Sequence, residues 1–357
     1  MQSNSNTKKI YSTLKISGQC ASVRGSTKIV FGSNHIPETK ASISITKTTQ
    51  NQTKKDKLSI QILNPSPCPR VNCSSTQHSA PKPILLPEYT FALQPNYKIS
   101  IPNSEPAKFS NKKYGIVNCY AANTNQGLVR NYNEDRMSII LNIVKPQSKV
   151  NEDWPKCSFF GVYDGHGGYA CADFLRDKLH QFVIKDPSFP WNPKESLRNG
   201  ILNAEKKFME LCQSKENIIE RSGSCAVVCL VIGDMCYVAN VGDSRAVLST
   251  HSGQNIIALS TDHKPMDTQE EKRIKEAGGK IYQASVQKPS ADLKKMEETF
   301  VGPYRVLPGR LSVSRTFGDP EAKLAKYGGN INVIKCDPDI RSFKVLRDYD
   351  FVLLASI

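Results

Sequence analysis

Two segments of the chain carry the side chains best suited to chemistry. Asp164 ends a short apolar run and is followed by Gly-His-Gly-Gly at 165–168, and the upstream run Arg-Asn-Tyr-Asn-Glu-Asp occupies 130–135. An isolated Asp-Gly pair is usually only a turn. Hard cations such as Mg²⁺ and Mn²⁺, however, prefer carboxylate, carbonyl and water oxygens, and arginine binds phosphate bidentately. Together the two segments favour metal-assisted hydrolysis of a phosphoester.

Further motifs follow these two in a fixed order. They are S-G-S-C-A at 222–226, N-V-G-D-S-R at 240–245, D-H-K-P at 262–265, E-x-x-R-I-x-x-A-G-G at 270–279 and G-R-L-S-V-S-R-T-F-G-D at 309–319. In this order the motifs resemble those of the type 2C family of metal-dependent serine/threonine protein phosphatases. The resemblance covers residues 114 to 357 and does not touch the first 110.

The resemblance implies an α+β fold, a four-layer α-β-β-α sandwich of two antiparallel sheets flanked by helices, with a site for two Mg²⁺ or Mn²⁺ ions in a cleft at one edge. Asp164 would bridge the metals, and Glu134 and the carbonyl oxygen of Gly165 would complete the protein ligands of one of them. Arg130 would hold the phosphate, and His166 would donate a proton to the leaving serine or threonine oxygen. The chemistry is attack by a metal-activated water.

Other polar residues of the motifs have structural interpretations. Asp135 supports Arg130 or the adjacent backbone, and His166 has the alternative of capping the helix after the glycines. Glu220 stands where relatives often carry an aspartate for a third, weaker metal, but its extra methylene weakens that assignment. We expect turns, buried polar support or ion pairs for Asp243, Ser244, Arg245, Asp262, His263, Arg315 and Asp319.

Cysteine-based phosphatase chemistry is not indicated. Cys225 occupies the usual threonine position of its motif, and no C-x-x-x-x-x-R loop surrounds it. A nucleophilic thiol needs an electropositive, exposed setting, whereas the apolar flanks of Cys225 predict burial.

The C-terminal end departs from the family pattern. Relatives continue a strand such as 351–356 with Asp-Gly and later place an Asp-Asn pair, the two aspartates that bind the other metal. Ile357 stands at the first of these positions and the second is absent. We therefore expect an incomplete domain, a weak or missing second metal and poor turnover, because Mg²⁺ usually needs more than one anionic oxygen.

Hydrophobic periodicity predicts the elements that position these motifs. The apolar run 158–163 predicts a buried strand, and the runs 225–232, 236–241 and 245–248 predict an antiparallel meander. A strand also begins at 350. Two helices are predicted by apolar stripes at helical spacing. The first stripe is Cys171, Phe174, Leu175, Leu179 and Phe182, and the second is Leu197, Ile201, Ala204, Phe208 and Leu211. A third helix, over 267–277, is predicted by a cap at Asp267 or Thr268.

The first part of the chain has a different composition. Residues 1–110 hold 14 Lys and Arg against 4 Asp and Glu, are rich in Ser, Thr, Asn and Pro, and lack sustained periodicity. Such a segment buries too little apolar surface to offset its chain entropy. We expect 1–111 to be a basic disordered region and 112–357 the phosphatase domain. Because the lysines form no dense cluster, a solvated arm is favoured over a nucleic-acid or anionic-membrane contact.

Cysteine usage and hydropathy bear on compartment and partners. The 11 cysteines are odd in number and form no C-x-x-C pair, which favours a reducing compartment. No apolar run is long enough to span a bilayer. We expect a cytoplasmic or nuclear monomer that acts on phosphoproteins. The alternative is a phosphatase-like module that binds phosphopeptides through Arg130 without efficient turnover. In a third hypothesis, residues 1–110 are the functional part and anchor the protein to nucleic acid or anionic lipid.

Overall fold

A computed structural model of the chain describes residues 24–32, 106–147, 151–213, 217–288 and 298–356. The strands are β1 Arg24–Gly32, β2 Lys108–Ser110, β3 Cys119–Gly127, β4 Arg136–Ile140, β5 Cys157–His166, β6 Gly223–Ile232, β7 Met235–Val241, β8 Arg245–Thr250, β9 Asn255–Ala258, β10 Lys280–Lys288, β11 Glu298–Leu307, β12 Phe317–Gly318, β13 Asp339–Lys344 and β14 Tyr349–Ala355. The helices are α1 Ala170–Lys185, α2 Pro193–Leu211, α3 Thr268–Glu276 and the short α4 Pro320–Lys323, followed by a 3₁₀ turn at Ala325–Tyr327.

The strands form two antiparallel sheets and a hairpin. The first sheet has the order β2-β3-β1-β14-β8-β9, and the second has the order β13-β7-β6-β5-β4 with β12 also paired to β6. Within the described ranges, strands β10 and β11 pair with each other and with no other strand. The long register between β5 and β6 runs from Cys157 opposite Ile232 to His166 opposite Gly223. It therefore places the Asp-Gly-His residues of 164–166 beside the start of the S-G-S-C-A motif at 222–226.

The two sheets enclose one core between them, and helices cover the far face of the second sheet. Alternate residues of β6 point to opposite sides, so Val227, Cys229 and Val231 lie between the sheets and Val228 and Leu230 face the helices. In α1 the buried residues Cys171, Leu175, Leu179 and Val183 recur at intervals of four, as a one-sided helix requires. The predicted class, two antiparallel sheets flanked by helices, is confirmed.

Most predicted elements lie where the sequence patterns placed them. The runs 225–232, 236–241 and 245–248 are strands β6, β7 and β8, and the C-terminal strand is β14. The predicted meander is wrong, because β7 pairs with β6 in the second sheet, whereas β8 crosses to the first sheet and pairs with β14 and β9. Helix α3 begins after Asp267, whose carboxylate accepts hydrogen bonds from the backbone N–H groups of Gln269 and Glu270. The β10–β11 hairpin was not predicted, because residues 281 to 309 lack clean periodicity. No helix in the described part of the chain is long and apolar enough to cross a membrane.

The structure differs from expectation at β1 and at the short strand β2, which lie inside the segment 1–111 that we expected to be disordered. Strand β2 pairs with β3 at the edge of the first sheet, whereas β1 occupies its interior, between β3 and β14. Ile29 and Phe31 are buried, and the ring of Phe31 stacks on Phe160 with centroids 4.2 Å apart. A short run of β-branched and aromatic residues is enough to form this strand, because the neighbouring strands on its two sides supply its hydrogen bonds. The rest of 1–105 lies outside the described residues.

Candidate functional site

The loop that follows Asp164 closes against the segment carrying Glu134. At Gly165 a Cβ atom would lie 2.4 Å from the backbone oxygen of Glu134, so only glycine allows this approach. The side chain of Glu134 is buried, and its Oε1 accepts a hydrogen bond of 2.7 Å from the backbone N–H of Gly168. The structure therefore brings Glu134 directly onto the end of β5 and the glycines that follow it, and Asp164 lies two residues before the end of that strand.

Arg130 lies at the open side of the same carboxylate. Its Nη1 is 3.2 Å from Glu134 Oε2, and 55% of its side chain is exposed. A guanidinium has five N–H donors in a fixed fork. Binding Glu134 through one nitrogen leaves donors directed to solvent, where a phosphate has access to them.

His166 is held by a residue that the sequence-based interpretation did not assign to it. Its Nε2 is 2.8 Å from Asp319 Oδ2. Burial lowers the pKa of His166, but the carboxylates of Asp319, Asp164 and Asp243 outweigh this effect and hold its pKa above the ordinary value. The three carboxylates thus shift the ring towards its protonated form, which is the form required of a proton donor.

A buried ion pair fixes the turn that carries Asp319. The residue has left-handed backbone dihedrals, φ 54° and ψ 55°, and its N–H donates to the carbonyl of Ser222. The adjacent Gly318 N–H donates to Glu205 Oε2 over 2.9 Å, and Glu205 Oε1 accepts from the buried Lys323 ammonium at 2.5 Å. Helix α2 therefore anchors the turn that presents Asp319 to His166. Glu205 and Lys323 are brought beside this turn only by the fold. No local sequence motif indicates that they support Asp319.

Most residues expected to give structural support do so, but Asp135 differs from expectation. We expected it to support Arg130 or the adjacent backbone, whereas its carboxylate accepts from the buried Ser356 hydroxyl over 2.8 Å and Arg130 contacts Glu134. Arg245 forms a paired contact with Asp262, and His263 Nδ1 accepts from the Gly242 N–H. Glu220 Oε1 accepts from the N–H groups of Arg221 and Ser222, so it caps a turn.

Cys225 is unsuited to nucleophilic attack. The side chain is buried, and burial together with the neighbouring Asp243 and Asp164 carboxylates raises the pKa of its thiol well above the ordinary value. Its Sγ donates to Asp243, which also contacts the ammonium of Lys264. A thiolate is disfavoured here, in agreement with the sequence-based interpretation.

The oxygen atoms around the loop have the chemistry of a hard-cation site. Asp164, the Gly165 carbonyl and Glu134 supply carboxylate and carbonyl oxygens, and Mg²⁺ usually retains several waters beside one or two carboxylates. In the described residues, no group of three or more His, Cys, Asp and Glu side chains lies close enough to hold a metal ion together. The donor set fits a largely hydrated cation.

Comparisons with known proteins agree on one family. Residues 124–357 match the family model described as "Protein phosphatase 2C". The chain is 36% identical over 197 residues to "Probable protein phosphatase 2C 45" of Oryza sativa subsp. japonica, covering 55% of this chain and 58% of that protein. It is 34% identical over 209 residues to "Probable protein phosphatase 2C 52" of the same organism, covering 58% of this chain and 36% of that protein.

Solved structures give a weaker likeness. A crystal structure of serine-threonine phosphatase 2C from Toxoplasma gondii aligns with 20% identity and a TM-score of 0.46, covering 71% of this chain and 79% of that one. The match to the family model spans well over half of the chain. The chain belongs to the protein phosphatase 2C family.

Proposed function

We propose that this chain contributes to hydrolysis of phosphoserine and phosphothreonine in proteins. The observation that carries the proposal is the convergence of Arg130, Glu134 and the loop after Asp164 at one end of β5. We assign the phosphatase domain to residues 112–357 together with β1. The chain covers only about a third to three fifths of the length of the two rice relatives, so its activity is inferred.

Each residue has a distinct part in the proposed reaction. The free donors of Arg130 bind the phosphoryl oxygens and orient the phosphorus atom. His166, held by Asp319, donates its proton to the serine or threonine oxygen as the P–O bond breaks. Asp164, Glu134 and the Gly165 carbonyl would hold Mg²⁺ or Mn²⁺. Such cations, when bound, lower the pKa of water and offset charge on the phosphoryl group.

The compartment and partners are part of the proposal. We infer a monomer that meets phosphoprotein substrates in the cytoplasm or the nucleus. The eight cysteines among the described residues are all free thiols, which supports a reducing compartment.

The test is phosphate release from a phosphoserine peptide in Mn²⁺, comparing the parent chain with Asp164→Asn. The substitution removes an anionic ligand, so we expect loss of at least about 10²-fold in turnover while the protein stays folded. Peptide binding is measured in parallel by fluorescence anisotropy. Phosphate-dependent binding without any release by the parent would contradict the proposal and identify a phosphopeptide-binding module.

A further inference from the structure

Two exposed tyrosines stand beside the proposed phosphate site. The rings of Tyr132 and Tyr169 meet edge to face with centroids 6.3 Å apart, and each side chain is 53% exposed. Tyr132 follows Arg130 by two residues, and Tyr169 directly follows Gly168, whose N–H binds Glu134. The ring pair therefore lies next to the residues that we assign to phosphate and metal.

The rings are held in place before any ligand arrives. The guanidinium carbon of Arg136 lies 5.5 Å from the centroid of the Tyr169 ring. Arg136 is fixed in turn by Asp173, at 2.6 Å, and by the carbonyls of Asn133 and Asp135, at 2.8 Å each. Immobilising a free side chain on binding costs affinity, so a preorganised aromatic pair is an efficient contact surface.

Neither the helix nor the core explains an aromatic residue at position 169. Tyr169 is the N-cap of α1 and makes no side-chain capping hydrogen bond. This position favours Ser, Thr, Asp or Asn, whose oxygens accept from the first free N–H groups of a helix. A residue that departs from a local preference often marks a functional surface. The ring of Tyr169 contacts Tyr132 and Arg136 at the protein surface, where its side chain stays 53% exposed.

Two further exposed apolar residues directly precede Arg130 in the chain. Leu128 and Val129 are 44% and 62% exposed. Single exposed apolar residues are normal on a protein surface. Here four of them, Leu128, Val129, Tyr132 and Tyr169, occur within two residues of either Arg130 or Gly168. Their grouping at one site is what calls for an occupant.

We propose that the Tyr132–Tyr169 pair binds an apolar or aromatic side chain of the substrate, close in sequence to its phosphorylated residue. This inference rests on the proposed function, because Arg130 sets the position of the phosphate. An extended peptide advances about 3.3 Å per residue, and Tyr132 is only two residues from Arg130, so the side chains that flank the phosphoresidue are the ones we expect at the rings. The favoured substrate class is phosphopeptides with large apolar flanking residues.

The test measures binding, so it does not depend on turnover. Fluorescein-labelled peptides carry a non-hydrolysable phosphonate analogue of phosphoserine flanked on both sides by Leu or by Ser, and dissociation constants are measured by anisotropy in Mn²⁺. We expect the parent to bind the Leu-flanked peptide at least ~10-fold more tightly. Tyr132→Ser and Tyr169→Ser should reduce this ratio towards one, whereas Tyr169→Phe, which keeps the ring, should retain it.

Two features keep the experiment decisive. Tyr169→Ser places a preferred N-cap residue on α1, so its thermal midpoint should not fall and weaker binding cannot be assigned to unfolding. The matched control is Trp191→Ser, since Trp191 is 63% exposed and follows the far end of α1, a helix of 16 residues and about 24 Å. The control should bind both peptides as the parent does.

The failures are distinguishable. Equal affinity of the parent for both flanks, or an unchanged ratio in both serine variants, would overturn the inference and leave the proposed function intact. If the parent binds the phosphonate peptides no more tightly than their unmodified serine counterparts, phosphate recognition itself fails and both proposals fall.

Discussion

The imidazole of His166 lies 2.8 Å from the carboxylate of Asp319, although 153 residues separate the two along the chain. His166 ends β5 and Asp319 follows β12, and both strands pair with β6. The contact therefore depends on the sheet and not on local sequence. It is the geometric link between the glycine loop and the last of the sequence motifs.

The first prediction concerns proton donation. Asp319→Asn removes the negative charge that favours protonated His166 and that holds the ring in place. A phosphoserine leaving group needs a proton, whereas p-nitrophenolate leaves without one. We expect turnover of a phosphoserine peptide to fall by about 10²-fold and that of p-nitrophenyl phosphate to change little. An equal loss on both substrates would contradict the assigned role of His166.

The second prediction uses the glycine opposite His166. A Cβ at Gly223 would lie 2.0 Å from Asp319 Oδ2 and 2.5 Å from His166 Nε2, so Gly223→Ala must separate the pair. We expect a loss of about 1–3 kcal/mol in the free energy of unfolding. The control is Gly253→Ala, where nothing lies within 4 Å and only the positive φ of 84° is strained. Equal losses in the two variants would remove the steric argument.

A third prediction addresses the buried pair behind Asp319. Glu205→Leu leaves the buried Lys323 ammonium without its partner, and Lys323→Met leaves the Glu205 carboxylate without its own. Each single change should lower the free energy of unfolding by about 3–5 kcal/mol. The double variant should lose clearly less than the sum, because no uncompensated charge remains. Additive losses in urea titrations would argue against a coupled pair.

The fourth prediction concerns acid stability. Burial alone would raise the pKa of Glu270, but hydrogen bonds from Arg315, Arg273 and Ser314 hold it well below its ordinary value of 4.5. A depressed carboxyl pKa stabilises the fold above the pKa of the unfolded chain, and this stability disappears as the pH falls. Asp339, beside His263 and Arg315, has a pKa of about 2 and acts in the same direction.

We therefore expect the free energy of unfolding to fall as the pH is lowered through about 4.5 towards 2. Glu270→Gln should lower stability at neutral pH and flatten this slope. The comparison variant is Glu271→Gln on the same helix turn, where the carboxylate contacts the exposed Lys275, and it should keep the parental slope. Denaturant unfolding at a series of pH values measures both, and parallel slopes in all three proteins would refute the argument.

Local patterns predicted those parts of the fold that depend on local rules. The α1 stripe, the Asp267 cap and the β6–β7 hairpin each follow from periodicity or turn chemistry over a few residues. The crossing of β8 to the other sheet was not predicted, because turn residues between two strands do not show which sheet the second strand joins. The pairing of His166 with Asp319 was not predicted, because it requires the register of β6 with two other strands.

Composition misled at β1 for a related reason. The average over 1–110 is polar, and it conceals a five-residue run, Thr-Lys-Ile-Val-Phe at 27–31. In isolation such a run cannot bury enough surface to remain ordered. Its partners β3 and β14 are remote in sequence, so only the assembled sheet makes the strand stable.

The last prediction tests that strand directly. Phe31 is 4% exposed and stacks on Phe160 with an interplanar angle of 10°. Phe31→Ala should lower the free energy of unfolding by about 3–5 kcal/mol, because it removes a buried ring and leaves a cavity between the sheets. Val30 points to the opposite face and is only partly buried, so Val30→Ala should cost no more than about 1 kcal/mol.

The contrast between these neighbours distinguishes a paired strand from an unstructured arm. If residues 24–32 were not part of the sheet, both substitutions would leave the urea midpoint unchanged, and deletion of the first 32 residues would be equally harmless. If β1 is paired as described, the deletion exposes the facing edges of β3 and β14 as well as the ring of Phe160. The shortened chain should then unfold at a lower urea concentration and associate through those edges, because unpaired strand edges and exposed apolar surface promote aggregation.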